Sequence, residues 1–365
     1  MHSVKRVRQS SEALEAKKQR EKSKIKEYLT LTEDVFVRKK RQDWSKDAFE
    51  LTQRLLQLNP EFYTIWNYRR NILLNGIFPQ RRAISDALIS PLSHTGAKCN
   101  STPEEINGLL SNELTLTTTA LKANPKVYWI WNHRRWCLGN VPDGPDSDSG
   151  PTFGWKKTKW DRELFVVEKM LDADARNFHA WNYRRHVLAG MPVSRSELSE
   201  LAYTTRKIEA SFSNFSAWHQ RSKIYTSLWD AGDLDATKSR EEEFELVRNA
   251  LYTDPDDQSA WIYHRWLIGS GQNLELLRRE IAVIEELLEE QPDSKWCMES
   301  LVHYKRLLLR NHSPSQPQCL RDNCLQLLYQ LEQLDPARKH RYQQLEIDCH
   351  FISFHVLQSS FSGFL

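Results

Sequence analysis

Asn59-Pro60-Glu61-Phe62-Tyr63-Thr64-Ile65-Trp66-Asn67-Tyr68-Arg69-Arg70 is the first of a series. Asn124-Pro125 leads to Trp131-Asn132-His133-Arg134-Arg135, and Asp174-Ala175 leads to Trp181-Asn182-Tyr183-Arg184-Arg185. Phe215-Ser216-Ala217-Trp218-His219-Gln220-Arg221 follows, then Asp254-Pro255 leading to Trp261-Ile262-Tyr263-His264-Arg265. A degenerate sixth unit reads as centred on Trp296 after Gln291-Pro292, and a seventh starts at Asp335-Pro336 with Tyr342 in the Trp position. Self-similarity of this kind is the mark of a repeat architecture, because each unit is one supersecondary element that must bury its apolar face on its neighbours.

Each unit reads as a helix pair. Residues 47–58 carry Phe49, Leu51, Leu55, Leu56 and Leu58 and should stop at Asn59-Pro60, since the residue before a proline is pushed out of the α region. A second helix then starts near the Trp. In it Trp66, Arg69, Arg70 and Leu73 fall at i, i+3, i+4 and i+7, on one broad face. The shortest Trp intervals set the period of a helix-hairpin solenoid. The longer ones predict inserted loops near 90–103 and 141–155, which are rich in Pro, Gly, Ser and Asp. The expected organisation is a basic arm and helix over 1–41, a hairpin-repeat domain over 42–357 and a tail over 358–365. The Trp residues read as core packing between hairpins. The arginines have two readings that stay open here: salt bridges to the next repeat, or contacts to another molecule, since guanidinium forks suit carboxylates and phosphates.

Composition narrows the class. The 365 residues include 13 Trp and are 40% hydrophobic, enough for a substantial core, with a formal net charge of only +3. No whole-molecule field of the kind that marks a nucleic-acid binder results. Residues 1–41 hold 13 Lys/Arg against 6 Asp/Glu, so a basic arm precedes a mildly acidic body. The six cysteines (Cys99, Cys137, Cys297, Cys319, Cys324, Cys349) form no CxxC pair and read as reduced thiols of a cytoplasmic protein. No transmembrane segment is expected. Gly-rich phosphate loop, HExxH, nucleophile elbow and zinc-type Cys/His spacing are all missing from the sequence. Two classes therefore stand: a repeat scaffold that only binds proteins, or the helper subunit of an enzyme whose metal sits on another chain.

The repeated Asn/Asp-Pro, five residues, Trp-Asn-Tyr-Arg-Arg pattern resembles that of the protein prenyltransferase α subunits. Phe212-Ser213-Asn214-Phe215-Ser216-Ala217-Trp218-His219 and Asp254 to Leu267 are similar to the type II branch, the Rab geranylgeranyltransferase α subunits, in its compact form without appended domains. The α subunit of farnesyltransferase and of the type I enzyme differs at these units and is the runner-up. The resemblance implies an all-α, right-handed superhelix or crescent of stacked antiparallel hairpins. It further implies a β subunit that carries zinc, geranylgeranyl diphosphate as donor, and Rab GTPases presented by a Rab escort protein. By the same resemblance Lys126 is the catalytic cation facing the diphosphate. Tyr128, Asn177, Phe178 and His179 edge the pocket. Asn67, Arg69, Arg70, Asn132, Arg134, Arg135, Asn182, Arg184, Arg185, His219, Arg221, Tyr263 and Arg265 meet the β subunit. His2, at the start of the arm, reads as a regulatory ligand to the partner's zinc. Read on their own, Lys126 is a solvated lysine after a helix break and His179 a packing residue at a helix start. Where peptide-reading relatives carry a Gln that holds a terminal carboxylate, this chain has Trp129, in keeping with a type II enzyme that relies on an escort.

Overall fold

The computed structural model describes residues 10–78, 101–144 and 154–361, with side chains to 351. His2, Cys99, the side chain of Phe354, most of the two insertions and the side chains of the 358–365 tail lie outside these. The described residues form helices and no strand. The chain divides into two compact units, Met1–Ser194 and Arg195–Leu365.

In the first unit α1 (Ser11–Lys40) packs on α2 (Lys46–Leu58), which pairs with α3 (Tyr63–Ile72). The hairpins α4 (Pro103–Ala123) with α5 (Tyr128–Gly139) and α6 (Gly154–Ala173) with α7 (Phe178–Gly190) follow, and the second helices α3, α5 and α7 lie side by side. The second unit repeats the plan with α8 (Glu197–Ala210) and α9 (Phe215–Ala231), α10 (Ala236–Thr253) and α11 (Gln258–Ile268), α12 (Leu274–Glu290) and α13 (Lys295–Asn311), and α14 (Pro317–Leu334) and α15 (Lys339–Phe361). This is an all-α solenoid of antiparallel hairpins. Among the described residues no helix is long and apolar enough to cross a membrane.

Local chemistry explains the boundaries. α4 opens on a reciprocal cap, in which the Glu105 N–H donates to the Thr102 hydroxyl at 3.3 Å and the Thr102 N–H to the Glu105 carboxylate at 2.9 Å, with Pro103 in the first turn. First helices end where Asn59, Asn124 and Asp254, each preceding a proline, leave the α region (φ −141, −133 and −147°). The Trp then closes the turn. The indole N–H of Trp66, Trp131, Trp181, Trp218 and Trp261 donates to the carbonyl six residues back, at Pro60, Pro125, Ala175, Phe212 and Pro255, over 2.6–2.9 Å. All five rings are fully buried. The spacing from turn to Trp is therefore fixed by a hydrogen bond as well as by packing.

The sixth unit is in a different register from the one the sequence suggested. Each second helix places its core residue four positions after the N-cap: Asn177 precedes Trp181, Asn214 precedes Trp218 and Asp257 precedes Trp261. Ser294 caps α13, so Met298, buried, takes that place, while Trp296 is only half-buried. In α15, Tyr342 is buried with its hydroxyl 3.1 Å from Glu299 and 3.0 Å from Asp335, while Ile347 and Phe351 are exposed.

A chain of buried charges ties hairpin to hairpin. Arg69 on α3 makes a two-pronged bond to Glu113 on α4 (2.7 and 2.6 Å), and Glu113 also meets His133 on α5 (2.9 Å). Arg134 on α5 does the same to Glu163 on α6 (3.0 and 2.5 Å), which accepts from the Tyr183 hydroxyl on α7 (2.6 Å). In the second unit Arg221 forks onto Glu243 (2.6 Å each), which accepts from Tyr263 (2.5 Å), and His264 meets Glu280 (3.0 Å). Each fork also reaches back to its own hairpin, where Arg69, Arg134 and Arg221 bond Thr52, Thr117 and Thr204. Buried ions are tolerable only when paired and hydrogen-bonded, and here each carboxylate oxygen of Glu113, Glu163 and Glu243 accepts at least one hydrogen bond. The expectation that Arg69, Arg134, Arg184, Arg221 and Tyr263 meet a partner molecule is corrected accordingly. All five are buried within this chain, and Arg184 pairs with Glu168 at 3.1 Å.

Candidate functional site

Two successive turns are stitched together in the first unit. The Asn177 amide donates to the Pro125 carbonyl at 3.1 Å, while its Oδ1 accepts from the N–H groups of His179 (3.0 Å) and Ala180 (3.3 Å) to cap α7. Asn177 is thereby buried and fully engaged, so it does not edge a pocket but holds the turn that carries Lys126. Lys126 Nζ lies 3.6 Å from Asp174 with 74% of its side chain exposed. An exposed pair of this kind contributes little, which leaves the ammonium free to swing to another anion.

Beside this lysine runs a continuous row of rings. Tyr63 lies against Trp129 (centroids 5.2 Å), Trp129 edge-on to Tyr128 (5.2 Å), Tyr128 near His179 (6.3 Å), and His179 edge-on to Phe178 (5.8 Å). Tyr63, Tyr128 and Phe178 are exposed at 52, 45 and 65%. Each is the first residue of its helix, so the row follows the N-terminal ends of α3, α5 and α7. Neither α3 nor α5 has a side-chain cap on its first N–H groups, unlike α7. An apolar strip bordered by an ammonium and an uncapped helix N-terminus suits a molecule with an apolar body and an anionic head. In the second unit Phe215 holds the same place on α9 and stacks on His219 (6.1 Å).

The remaining partner candidates lie on the outer face of the second helices. Asn67 and His219 are exposed, while Asn132, Asn182, Arg70, Arg135, Arg185 and Arg265 are half-buried. Arg70 Nη2 and the Nε atoms of Arg135 and Arg265 have no hydrogen-bond partner among the described residues. Burial pushes the Arg70 and Arg185 guanidinium groups down from their ordinary pKa, and the nearby Arg135 adds to the effect on Arg185. Among the described residues no three His, Cys, Asp or Glu side chains gather as a metal site would require.

Reading the repeat from its Trp outward passes over the carboxylates. Glu113, Glu163 and Glu243 stand twenty residues ahead of His133, Tyr183 and Tyr263, and the threonines seventeen ahead of their arginines. Those constant offsets are the signal that would have found them.

Protein prenyltransferase α subunit repeats match residues 45–76, 110–141, 160–191, 198–228 and 240–270. The geranylgeranyl transferase type-2 subunit α of Schizosaccharomyces pombe is 36% identical over 372 residues, covering 95% of this chain and 98% of that protein. The chain belongs to the protein prenyltransferase α subunit family, among the geranylgeranyl transferase type-2 α subunits. The Saccharomyces cerevisiae protein of the same name is 33% identical over 363 residues, with 94 and 98% covered. The Sus scrofa protein of that name is 36% identical over 283 residues, 76% of this chain and 43% of its own length. A solved structure, Candida albicans protein geranylgeranyltransferase-I complexed with GGPP, shares the fold with a TM-score of 0.63 at 19% identity, covering 89% of this chain and 91% of that one.

Proposed function

We propose that this chain is the α subunit of a heterodimeric protein geranylgeranyltransferase type II, a cytoplasmic enzyme that moves the geranylgeranyl group of geranylgeranyl diphosphate to C-terminal cysteines of Rab GTPases. The carrying observation is family membership over nearly the whole chain, joined to the Lys126 turn and the exposed aromatic row beside it. The row supplies an apolar edge that a β subunit and the isoprenoid cover. Half-buried Arg70, Arg135 and Arg265, each with a guanidinium nitrogen that has no partner among the described residues, meet acidic groups of β. In this reading zinc is held by the β subunit rather than by this chain.

In the transfer a sulfur–carbon bond forms while the carbon–oxygen bond to the diphosphate breaks, and negative charge grows on the departing oxygen. A positioned ammonium is most useful there, because it interacts more strongly with the transition state than with the intact ester. Lys126 is that ammonium, and Asn177 and Asp174 set its position. Trp129 fills the place from which peptide-reading relatives hold a free carboxylate, so the Rab tail is delivered by an escort protein.

Co-expression with barrel-type β subunits tests this. A stable 1:1 complex that geranylgeranylates a Rab only with escort protein is expected. Transfer to a free Cys-a-a-Leu peptide without escort would move the assignment to type I, and no complex with any β subunit would leave a scaffold.

A further inference from the structure

A second polar feature lies away from the turns. A groove of about 210 Å³ runs between α4 and α6, lined among others by Ser111, Thr115, Thr118, Lys122, Lys159 and Arg162. It is smaller than the ~300–1,000 Å³ of pockets that enclose drug-sized molecules, and hydroxyls and cations dominate its wall. Four cations border it: Arg134 is paired with Glu163, and among the described residues none of the other three, Lys122, Lys159 and Arg162, is ion-paired with a carboxylate. The one carboxylate in the wall, Glu163, is committed to Arg134 and Tyr183. Lys159 donates instead to the Ser111 hydroxyl. Partial burial, and then the charge of Arg162, press its ammonium below the ordinary lysine pKa, as expected for crowded cations lacking a counter-ion.

The geometry sets the shape of what fits. Lys159 and Arg162, three residues apart on α6, share a helix face. Ser111 and Lys122 stand eleven residues apart on α4, about 16 Å along the axis, so positive charge lines both ends of the groove. The hydroxyls of Ser111, Thr115 and Thr118 rest on helix carbonyls at 2.5–2.9 Å and can rotate toward an entering oxyanion. We propose that this groove binds a small phosphate-bearing anion, with Lys159 and Arg162 gripping one phosphate and Lys122 reaching a second anionic group. None of these residues belongs to the Lys126 turn, so the proposal does not depend on the transferase reading.

Calorimetric titration of the full-length chain in complex with its β subunit, the transferase site first saturated with a non-reactive geranylgeranyl diphosphate analogue, with inorganic phosphate and pyrophosphate at constant ionic strength tests this. Saturable one-site binding of pyrophosphate is expected, competed by phosphate and not by chloride. Lys159→Gln with Arg162→Gln should weaken it about tenfold or more, as loss of charge-assisted bonds does. Lys122→Gln should weaken pyrophosphate more than phosphate. Arg162→Lys, which keeps the charge, and Lys126→Ala should leave binding within about twofold of the parent, and melting without ligand should be unchanged in all variants. Vesicles containing phosphatidylinositol 4-phosphate identify the source. Retention that depends on Lys159 and Arg162 points to a lipid headgroup, and pyrophosphate binding without retention points to a free phosphorylated molecule. Absence of saturable binding, binding indifferent to the double substitution, or binding lost in Lys126→Ala overturns the proposal.

Discussion

Lys126 and Asn177 divide one task between them at the residue scale. The first presents charge and the second holds the backbone that presents it. Lys126→Ala in the complex is expected to lower the single-turnover rate about 100-fold, with subunit assembly unchanged in gel filtration. Asn177→Asp retains the cap on α7 but sets a buried carboxylate oxygen against the Pro125 carbonyl, so it should lower both the transfer rate and the melting temperature. Asn177→Ala loses the cap as well and should cost about 1 kcal/mol of unfolding free energy in urea titration. Position and residue type made Lys126 visible in the sequence only through resemblance. The role of Asn177 was not visible there, because its partner is a carbonyl in the preceding repeat, 52 residues away.

Between helices, the buried charge chain governs stability. Arg134→Met alone removes both guanidinium bonds to buried Glu163, leaving it the Tyr183 hydroxyl, and should cost about 3–5 kcal/mol, whereas Arg134→Met with Glu163→Leu should recover most of that loss. A double-mutant cycle by urea denaturation measures the difference. Acid should act on the same chain. Burial opposes ionisation of Glu113, but the hydrogen bonds from Arg69 and His133 outweigh it and hold the carboxyl at about 2; Glu280, bonded by His264 and Arg248, sits at about 2 as well. Both are depressed from an ordinary 4.5, so the stability they contribute is complete above that pH and is lost as pH falls from 4.5 toward 2. His133 and His264 are kept below their ordinary 6.5 by burial, so the unfolded chain takes up protons first as pH falls through that value. Urea midpoints should therefore be level above pH 7, decline below 6.5 and drop steeply under 4.5. Glu113→Gln should flatten the acid limb while lowering stability at neutral pH. The helix pairs themselves were readable from proline position and apolar spacing. The direction of the arginines was not, since periodicity gives a face without saying whether a neighbouring hairpin already fills it.

At the level of the whole molecule, a chain that leaves Tyr63, Tyr128 and Phe178 in the open beside underused arginines is expected to self-associate when purified alone. Light scattering with and without a co-expressed β subunit checks this, and a clean monomer would remove the aromatic row as a docking edge. The repeat made the all-α solenoid legible from five Trp positions. The register of the sixth unit escaped, because Met298 packs where a Trp would, and a flexible thioether leaves no mark that pattern matching can follow. One property of the buried charge chain reaches beyond stability. Arg69 and Arg134 make the same kind of fork onto Glu113 and Glu163, so the fittings between hairpins are interchangeable. Removing α4 and α5 together would take away one carboxylate and one guanidinium and offer Arg69 to Glu163, while a cut within the hairpin would orphan a charge. A lineage could thus lengthen or shorten such a chain by whole hairpins at little electrostatic cost, and the count of hairpins is free to drift where the content of each is not.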